Sequence, residues 1–366
     1  MKKYLLLLLV AQLSLGQSGA PANPYYNGMN WSQTGLTLKN SLSTLTINKH
    51  TNFLSYTPEV WEASRITDLD PTDNTTVNLI YGYTNEVCPT STTDLHRKRD
   101  KFSNGGGTSC EWNREHVYAK SLGTPALVDG GSGATSDAGE DAHHIRPADV
   151  DWNNNRGSEK FVNATGNSRD ITATTWYPGD EWKGDVARMM MYMYLRYPTQ
   201  CLPINVGEGI PVSNDSNMID LFLKWNAEDP VSQIEDNRNT YHGSTGTYAQ
   251  GNRNPFIDNP YLATVIWGGT SAQNRWPTVF LSSESFLAEN AVSIYPNPTT
   301  TNEVDVFTTE NITKLTLINI NGQIIKDIEN PIFNQNTYKL SNLPQGFYFL
   351  QVSAEKGSLT KKIIVN

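Results

Sequence analysis

The run Cys110-Glu-Trp-Asn-Arg-Glu-His116 is followed by Asp141-Ala-His-His-Ile-Arg-Pro147 and then by Trp152-Asn-Asn-Asn-Arg-Gly157. These three segments gather carboxylates, imidazoles, side-chain amides and guanidiniums into a short stretch of chain. Metal-assisted hydrolysis of a phosphodiester needs that inventory: oxygen ligands for a hard cation, a neutral imidazole to deprotonate water, and guanidiniums to hold phosphate. Glu115 offers a hard oxygen ligand, and His116 offers a base whose ordinary pKa lies near neutrality. Neighbours on a strand point to opposite faces. A strand that ends at Val117 would let both side chains reach one cleft.

Each group also has a plainer reading. His143 and His144 are adjacent, so one is expected to face the cleft and the other to sit in the core or behind the site. Three consecutive Asn at 153–155 more often make a turn or a helix cap than a ligand. The His and Cys spacings match no common zinc pattern.

The elements that must position these groups are legible in outline. Asp141 to Asp149 reads as a second short extended segment, and Asp149 or Asp151 can cap a short helix carrying Asn153 to Arg156. Strand, loop, strand, helix would bring Glu115, His116 and an Asn amide oxygen around one ion. Leu38, Leu42 and Leu45 fall on one face of a helix spanning Leu36 to Leu45, and Val77 to Tyr81 reads as an apolar strand. Residues 121–140, rich in Gly, Ser, Ala and Asp, read as a long loop. The near-continuous apolar stretch Val186 to Arg196 reads as a buried helix, with further helices at about Met218 to Asn226 and, after Pro230, at Val231 to Asn239. Composition shifts after about residue 270. A linker is expected over 271–292, and Tyr295-Pro-Asn-Pro298 opens a region of short β-rich runs in which Asn321-Gly322 marks a tight hairpin. A small β-sandwich follows from that pattern. It holds no His or Cys and should do no chemistry.

At 366 residues two domains are the prior. Lys2 and Lys3 precede the apolar run Tyr4 to Ala11, and Ser14-Leu-Gly16 supplies small residues for cleavage, so residues 1–16 read as a signal peptide cut before Gln17. No segment approaches the ~20 apolar residues of a membrane span. An oxidising compartment permits disulfides among Cys88, Cys110 and Cys201. A Cys88–Cys110 bond would stabilise by roughly 3 kcal/mol on the chain-entropy model, and three unpaired thiols fit the sequence equally well. The net charge of −9 argues against a tight nonspecific nucleic-acid binder. It leaves room for a nuclease, which needs only a locally basic cleft.

The set N-R-E-H-V at 113–117, D-A-H-H-I-R-P at 141–147 and N-x-x-R-G at 153–157 resembles the bacterial endonuclease I family, a secreted or periplasmic branch of the ββα-metal (His-Me finger) nucleases. The likeness continues in K-G-D-V-A-R at 183–188, K-W-N-A-E-D-P-V at 224–231 and Q-G-N-R-N-P-F-I-D at 250–258, and spans about residues 25–270. It implies an α+β fold, with a ββα-metal nuclease core embedded in a mixed, helix-rich domain over residues 21–270, followed by the small all-β sandwich. It implies His116 as general base, and Glu115 and Asn153 as protein ligands of one divalent cation, Mg²⁺ first with Ca²⁺ or Mn²⁺ as alternatives. The substrate would be DNA, with RNA left open, cut to 5′-phosphate and 3′-hydroxyl ends. Asp141 and His144 would orient the site. Some relatives place a transition-state arginine between the His116 position and the second strand, but here Val117 to Glu140 contains only Lys120 as a basic residue. Arg146 is therefore the expected stand-in, with Arg114, Arg156 and Arg253 as nucleic-acid contacts, although Arg253 could equally buttress a terminal loop.

From about Ser293 to Asn366 the chain resembles the type A sorting domain of the type IX secretion system, through Tyr295-Pro-Asn-Pro298, the Leu343 to Tyr348 pattern and the Lys361-Lys-Ile-Ile-Val365 end. That implies the type IX machinery as a partner and a secreted or surface-held protein, expected to be a monomer. The competing function is a noncatalytic module that binds a polyanion or a protein.

Overall fold

A computed structural model describes residues 19–84, 97–105, 110–130, 138–280, 291–354 and 357–366. The expected signal peptide, Cys88, part of the 121–140 loop and part of the expected linker lie outside the described residues. The chain divides into two compact units, Met1–Val279 and Phe280–Asn366.

The first unit opens with helices α1 (Gly35–Lys49) and α2 (Glu59–Thr67), then strands β1 (Leu69–Asp70), β2 (Asp73–Asn78) and β3 (Lys98–Asp100) in one antiparallel sheet. Strands β4 (Trp112–His116) and β5 (Ile145–Asp149) form an antiparallel pair, and helix α3 (Val150–Arg156) follows directly. Strands β6 (Lys160–Phe161), β7 (Arg169–Thr172) and β8 (Thr175–Tyr177) form a small mixed sheet. Then come α4 (Lys183–Arg196), α5 (Pro203–Val206), the pair β9 (Pro211–Val212) and β10 (Asp215–Ile219), α6 (Asp220–Glu228), α7 (Gln233–His242), α8 (Pro255–Asp258) and α9 (Tyr261–Trp267).

Helix α4 is the spine of this unit. Every residue from Gly184 to Leu195 is buried, because α1, α6 and α8 pack around it. Its Met and aromatic side chains fill the core beside Trp176, Phe222 and Trp225, each apolar side chain contributing about 1.5–3 kcal/mol by leaving water. The two charged residues in that run, Asp185 and Arg188, are buried only because they are paired.

Several boundaries differ from those read in the sequence, for local reasons. Met218 and Ile219 close β10, so the helix begins at Asp220. Helix α7 begins at Gln233 because Ser232 and Glu235 form a reciprocal capping box there. Asp141 to His144 turn back on themselves, with the His144 amide donating to Asp141 O at 3.2 Å, so β5 starts only at Ile145. Val77–Tyr81 is strand only as far as Asn78; a bridge from Ile80 to Ala148 continues it, and Tyr81 turns away at φ 72°.

In the second unit, β11 (Val292–Tyr295), β12 (Val304–Thr308) and β15 (Thr337–Leu340) make one sheet. β13 (Ile312–Asn319), β14 (Ile324–Glu329), β16 (Gly346–Ala354) and β17 (Gly357–Val365) make the other. Val304, Val306 and Leu340 from the first meet Leu315, Leu317, Leu350, Val352 and Ile363 from the second in one core. That is the two-layer arrangement that alternating strands produce. Gly322, at φ 79°, turns the hairpin between β13 and β14.

Candidate active site

Strand β4 ends at His116, so Glu115 and His116 both reach a cleft of about 380 Å³ that is also lined by Arg114, Lys120 and Asn153. In register, Glu115 lies opposite Arg146 and His116 opposite Ile145. Helix α3 leaves β5 through an N-cap at Asp149, whose side chain accepts from the Asp151 amide at 3.0 Å. This cap sets the rotation of the helix that presents Asn153. The Asn153 Nδ2 donates to Asn113 Oδ1 at 2.5 Å, which fixes the amide and leaves Asn153 Oδ1 as an acceptor.

Glu115 is 2% exposed. Its Oε1 accepts from Tyr81 Oη and from Arg156 Nη1, both at 2.9 Å, while no described residue donates to Oε2. Burial pushes its pKa up, against the Arg156 charge and the Tyr81 bond. A buried carboxylate oxygen without a donor, beside an amide oxygen and open to a cleft, suits a small hard cation that keeps most of its waters. The residues present therefore fit a divalent ion held by Glu115 and Asn153. Among the described residues no cluster of three or more His, Cys, Asp or Glu side chains could hold a metal.

His116 Nε2 lies 2.8 Å from Gly139 O. A carbonyl only accepts, so the neutral ring carries its proton on Nε2, and Nδ1 keeps a lone pair for a proton. The ring stacks on Tyr56 at 5.3 Å between centroids and lies 5.6 Å from the His144 ring. Burial, then the His144 charge, pushes the His116 pKa down to about 3, so the imidazole is neutral at pH 7. His144 Nε2 donates to Ala138 O at 2.8 Å. The short turn Ala138–Glu140 thus orients both rings through adjacent carbonyls. It fits only because residue 139 is glycine: a Cβ there would sit 2.1 Å from Val128 O.

The other expected contacts lie elsewhere. Arg146 is fully buried, with Nε 2.6 Å from Asp68 Oδ1 and Nη1 2.9 Å from Asp185 Oδ2. Its guanidinium serves two carboxylates inside the domain and does not reach the cleft. Arg156 is also fully buried and donates to Glu115 and to the carbonyls of His116 and Val117, so it braces the end of β4 and does not face substrate. Arg253 makes a two-pronged pair with Asp258, at 2.8 and 2.6 Å, which is the buttressing alternative. Asp141 is buried away from the cleft and accepts from Tyr192, Tyr197 and Gln250. Arg114 does line the cleft. It is clamped between the rings of Tyr56 and Trp61, 3.4 and 4.1 Å from their centroids, with Nη1 bonded to Tyr56 O and Thr57 Oγ1.

Sequence reasoning missed Tyr81, Asn113 and Gly139. Asn113 sits within the N-R-E-H run and could have been found by its place two residues before Glu115. Tyr81 and Gly139 carry no local signal, since their roles depend on contacts 34 and 23 residues away along the chain. Cys110 is disulfide-bonded, and Cys201 is a buried thiol outside any disulfide.

The family model for Endonuclease I matches residues 34–261, and that for a secretion system C-terminal sorting domain matches residues 293–366. An extracellular ribonuclease of Bacillus subtilis (strain 168) is 39% identical over 271 residues, covering 70% of this chain and 83% of its own. An extracellular ribonuclease of Bacillus amyloliquefaciens is 38% identical over 246 residues, covering 64% and 75%. The chain belongs to the Endonuclease I family, as a secreted or surface-held phosphodiester hydrolase that carries a C-terminal sorting domain of the type IX system.

Proposed function

We propose that this nuclease depends on one divalent cation, Mg²⁺ first, and cuts both DNA and RNA internally, leaving 5′-phosphate and 3′-hydroxyl ends. The observation that carries this reading is the His116 ring, held neutral with its Nε2 proton on Gly139 O beside Glu115 and Asn153 in one cleft. His116 Nδ1 takes a proton from water as the water oxygen forms a bond to phosphorus. The P–O3′ bond breaks, and the departing 3′-oxygen takes a proton from solvent. Glu115 and Asn153 hold the cation, which when bound supplies positive charge to the scissile phosphate and the leaving oxygen. Arg156 and Tyr81 keep the Glu115 carboxylate in place from behind. Arg114, with Nη1 engaged and its plane fixed between two rings, is the guanidinium placed to meet a phosphate at the cleft wall. The RNA part of the proposal rests on the relatives named extracellular ribonucleases. In this mechanism the ribose 2′-hydroxyl takes no part.

The test uses labelled DNA and RNA oligonucleotides with Mg²⁺, with EDTA, and with His116→Ala and Glu115→Ala proteins. Losing the general base should cost about 10²–10⁴-fold in rate, and chelation should stop cleavage. Near-wild-type rates in both variants, or RNA products ending in a 2′,3′-cyclic phosphate, would sink the mechanism.

A further inference from the structure

A second cavity in the nuclease unit has a volume of about 400 Å³ and is walled by Asp70, Asn78, Arg97, Lys98 and the first residues of α7. Asn78 is 1% exposed, yet among the described residues neither its Nδ2 nor its Oδ1 has a hydrogen-bond partner. A buried amide left unpaired is costly, and such exceptions usually await a ligand or water. Opposite it stands the N-terminus of the ten-residue helix α7. Ser232 caps the Glu235 amide, and Glu235 in turn accepts from the Ser232 amide. The amides of Gln233 and Ile234 at the first two helical positions have no acceptor among the described residues. Backbone N–H groups at a helix start, with the helix dipole behind them, favour an anion.

The charges on the wall do not oppose an anion. Arg97 and Lys98 supply two positive charges and Asp70 one negative. Asp70 is already occupied by Lys98 Nζ at 2.6 Å and by the Thr72 amide and hydroxyl. Arg97 pairs with Glu181, which is not part of the wall. The carboxylate nearest the helix start, Glu235, is held by Arg188 at 2.6 and 2.8 Å. Both cations on the wall are therefore paired, its one carboxylate is occupied, and the wall presents two free amide donors and a side-chain amide unpaired among the described residues.

We infer that this cavity is a second, noncatalytic phosphate site, and that its occupant is a backbone phosphate of the nucleic-acid strand held away from the scissile bond. The identity of the strand rests on the proposed nuclease reaction, whereas the anion site itself does not. The site would lower KM for long substrates and leave the chemical step unchanged.

Two variants test it in the full chain. Asn78→Leu removes the orphaned amide. Gln233→Pro removes one helix-start donor at a position where proline suits the backbone, and Ser232, at φ −81° and ψ 161°, already has the conformation that a following proline requires. Inorganic phosphate is titrated calorimetrically in EDTA, where no turnover occurs, and KM and kcat are measured for 4- and 24-nucleotide strands with Mg²⁺. The expected result is phosphate binding weakened about tenfold in each variant, as loss of one bond to a charged group implies. KM should rise by a similar factor for the 24-mer alone, with kcat and the 4-mer kinetics unchanged. Equal phosphate affinity in all three proteins would overturn the site. Weakened phosphate binding with an unchanged 24-mer KM would identify free phosphate as the ligand and overturn the strand assignment. Inactivity of every protein on both strands, with phosphate binding intact, would count against the nuclease reading and spare the anion site.

Discussion

Substituting Gly139 by alanine tests how His116, the proposed general base, is held. The added Cβ would lie 2.1 Å from Val128 O and 2.6 Å from Val128 C. Both are backbone atoms that cannot swing aside as a side-chain tip can. Relief requires the turn Ala138–Glu140 to move by roughly 1 Å, a strain of the kind that costs about 1–3 kcal/mol in a packed interior. For a unit of this size that corresponds to a fall in Tm of about 2–4 °C per kcal/mol. The same movement carries the Gly139 and Ala138 carbonyls, each 2.8 Å from a histidine Nε2. A further ångström takes them beyond hydrogen-bonding distance. The His116 ring would then lose the bond that fixes both its tautomer and its aim. A displacement of that size in a catalytic group costs on the order of 10²-fold in rate. The assay is single-turnover cleavage of a labelled oligonucleotide at saturating Mg²⁺, with Tm measured in parallel. A rate within threefold of wild type, in a protein whose Tm has dropped as expected, would show that the turn moves without disturbing His116. The account of how the base is oriented would then be wrong.

Other perturbations follow from the same contacts. Arg156→Met leaves the buried Glu115 carboxylate without its counter-ion, which should cost about 3–5 kcal/mol; added Mg²⁺ should restore part of this, and chemical denaturation with and without the ion reads the difference. His143, fully buried between Tyr192 and His242, has its pKa pushed down by burial to about 4. Between about pH 6.5 and 4 the unfolded chain therefore binds a proton there that the folded chain does not, so the stability His143 contributes is full above that window and is lost as pH falls through it. Wild type should lose about 2.5 kcal/mol more than His143→Gln between pH 7.5 and 4.5. Parallel losses in urea melts of the two proteins would refute the assignment.

The parts of the molecule written in local pattern were readable, and the parts written in long-range pairing were not. The helices α1 and α4 announce themselves, as do the Asp149 cap and the Asn321-Gly322 hairpin, because each depends on residues a few positions apart. The face of α1 was only partly legible, since Leu38 and Leu42 are buried with Lys39, Ser43 and Thr46 while Leu45 is half-buried. The clustering of Glu115, His116 and Asn153 could be read for a related reason: a strand, its antiparallel partner and a helix in direct succession leave few other ways to arrange them. The arginines could not be sorted this way. A guanidinium suits a phosphate and a buried carboxylate equally well, and the deciding partner is remote. Arg146 is claimed by Asp68 and Asp185, 78 and 39 residues away, and Arg156 by Glu115, 41 residues away. Arg238 is likewise claimed by Asp68, 170 residues away.

That sorting bears on how an acidic protein handles a polyanion. With Arg146, Arg156, Arg188 and Arg238 neutralised by carboxylates inside the domain, the basic side chains on the cleft wall are Arg114 and Lys120. Lys120 is itself paired with Asp129 at 2.6 Å. Two cations, one of them shared, are a weak draw for a phosphate chain on a protein of net charge −9. On the proposed mechanism the divalent ion at Glu115 and Asn153 then contributes most of the positive charge that the strand meets at the cleft. Because linkage between two ligands is reciprocal, the strand must strengthen the cation's binding by the factor with which the cation strengthens the strand's. The two are expected to bind as a strongly coupled pair, so that neither affinity has meaning without the concentration of the other.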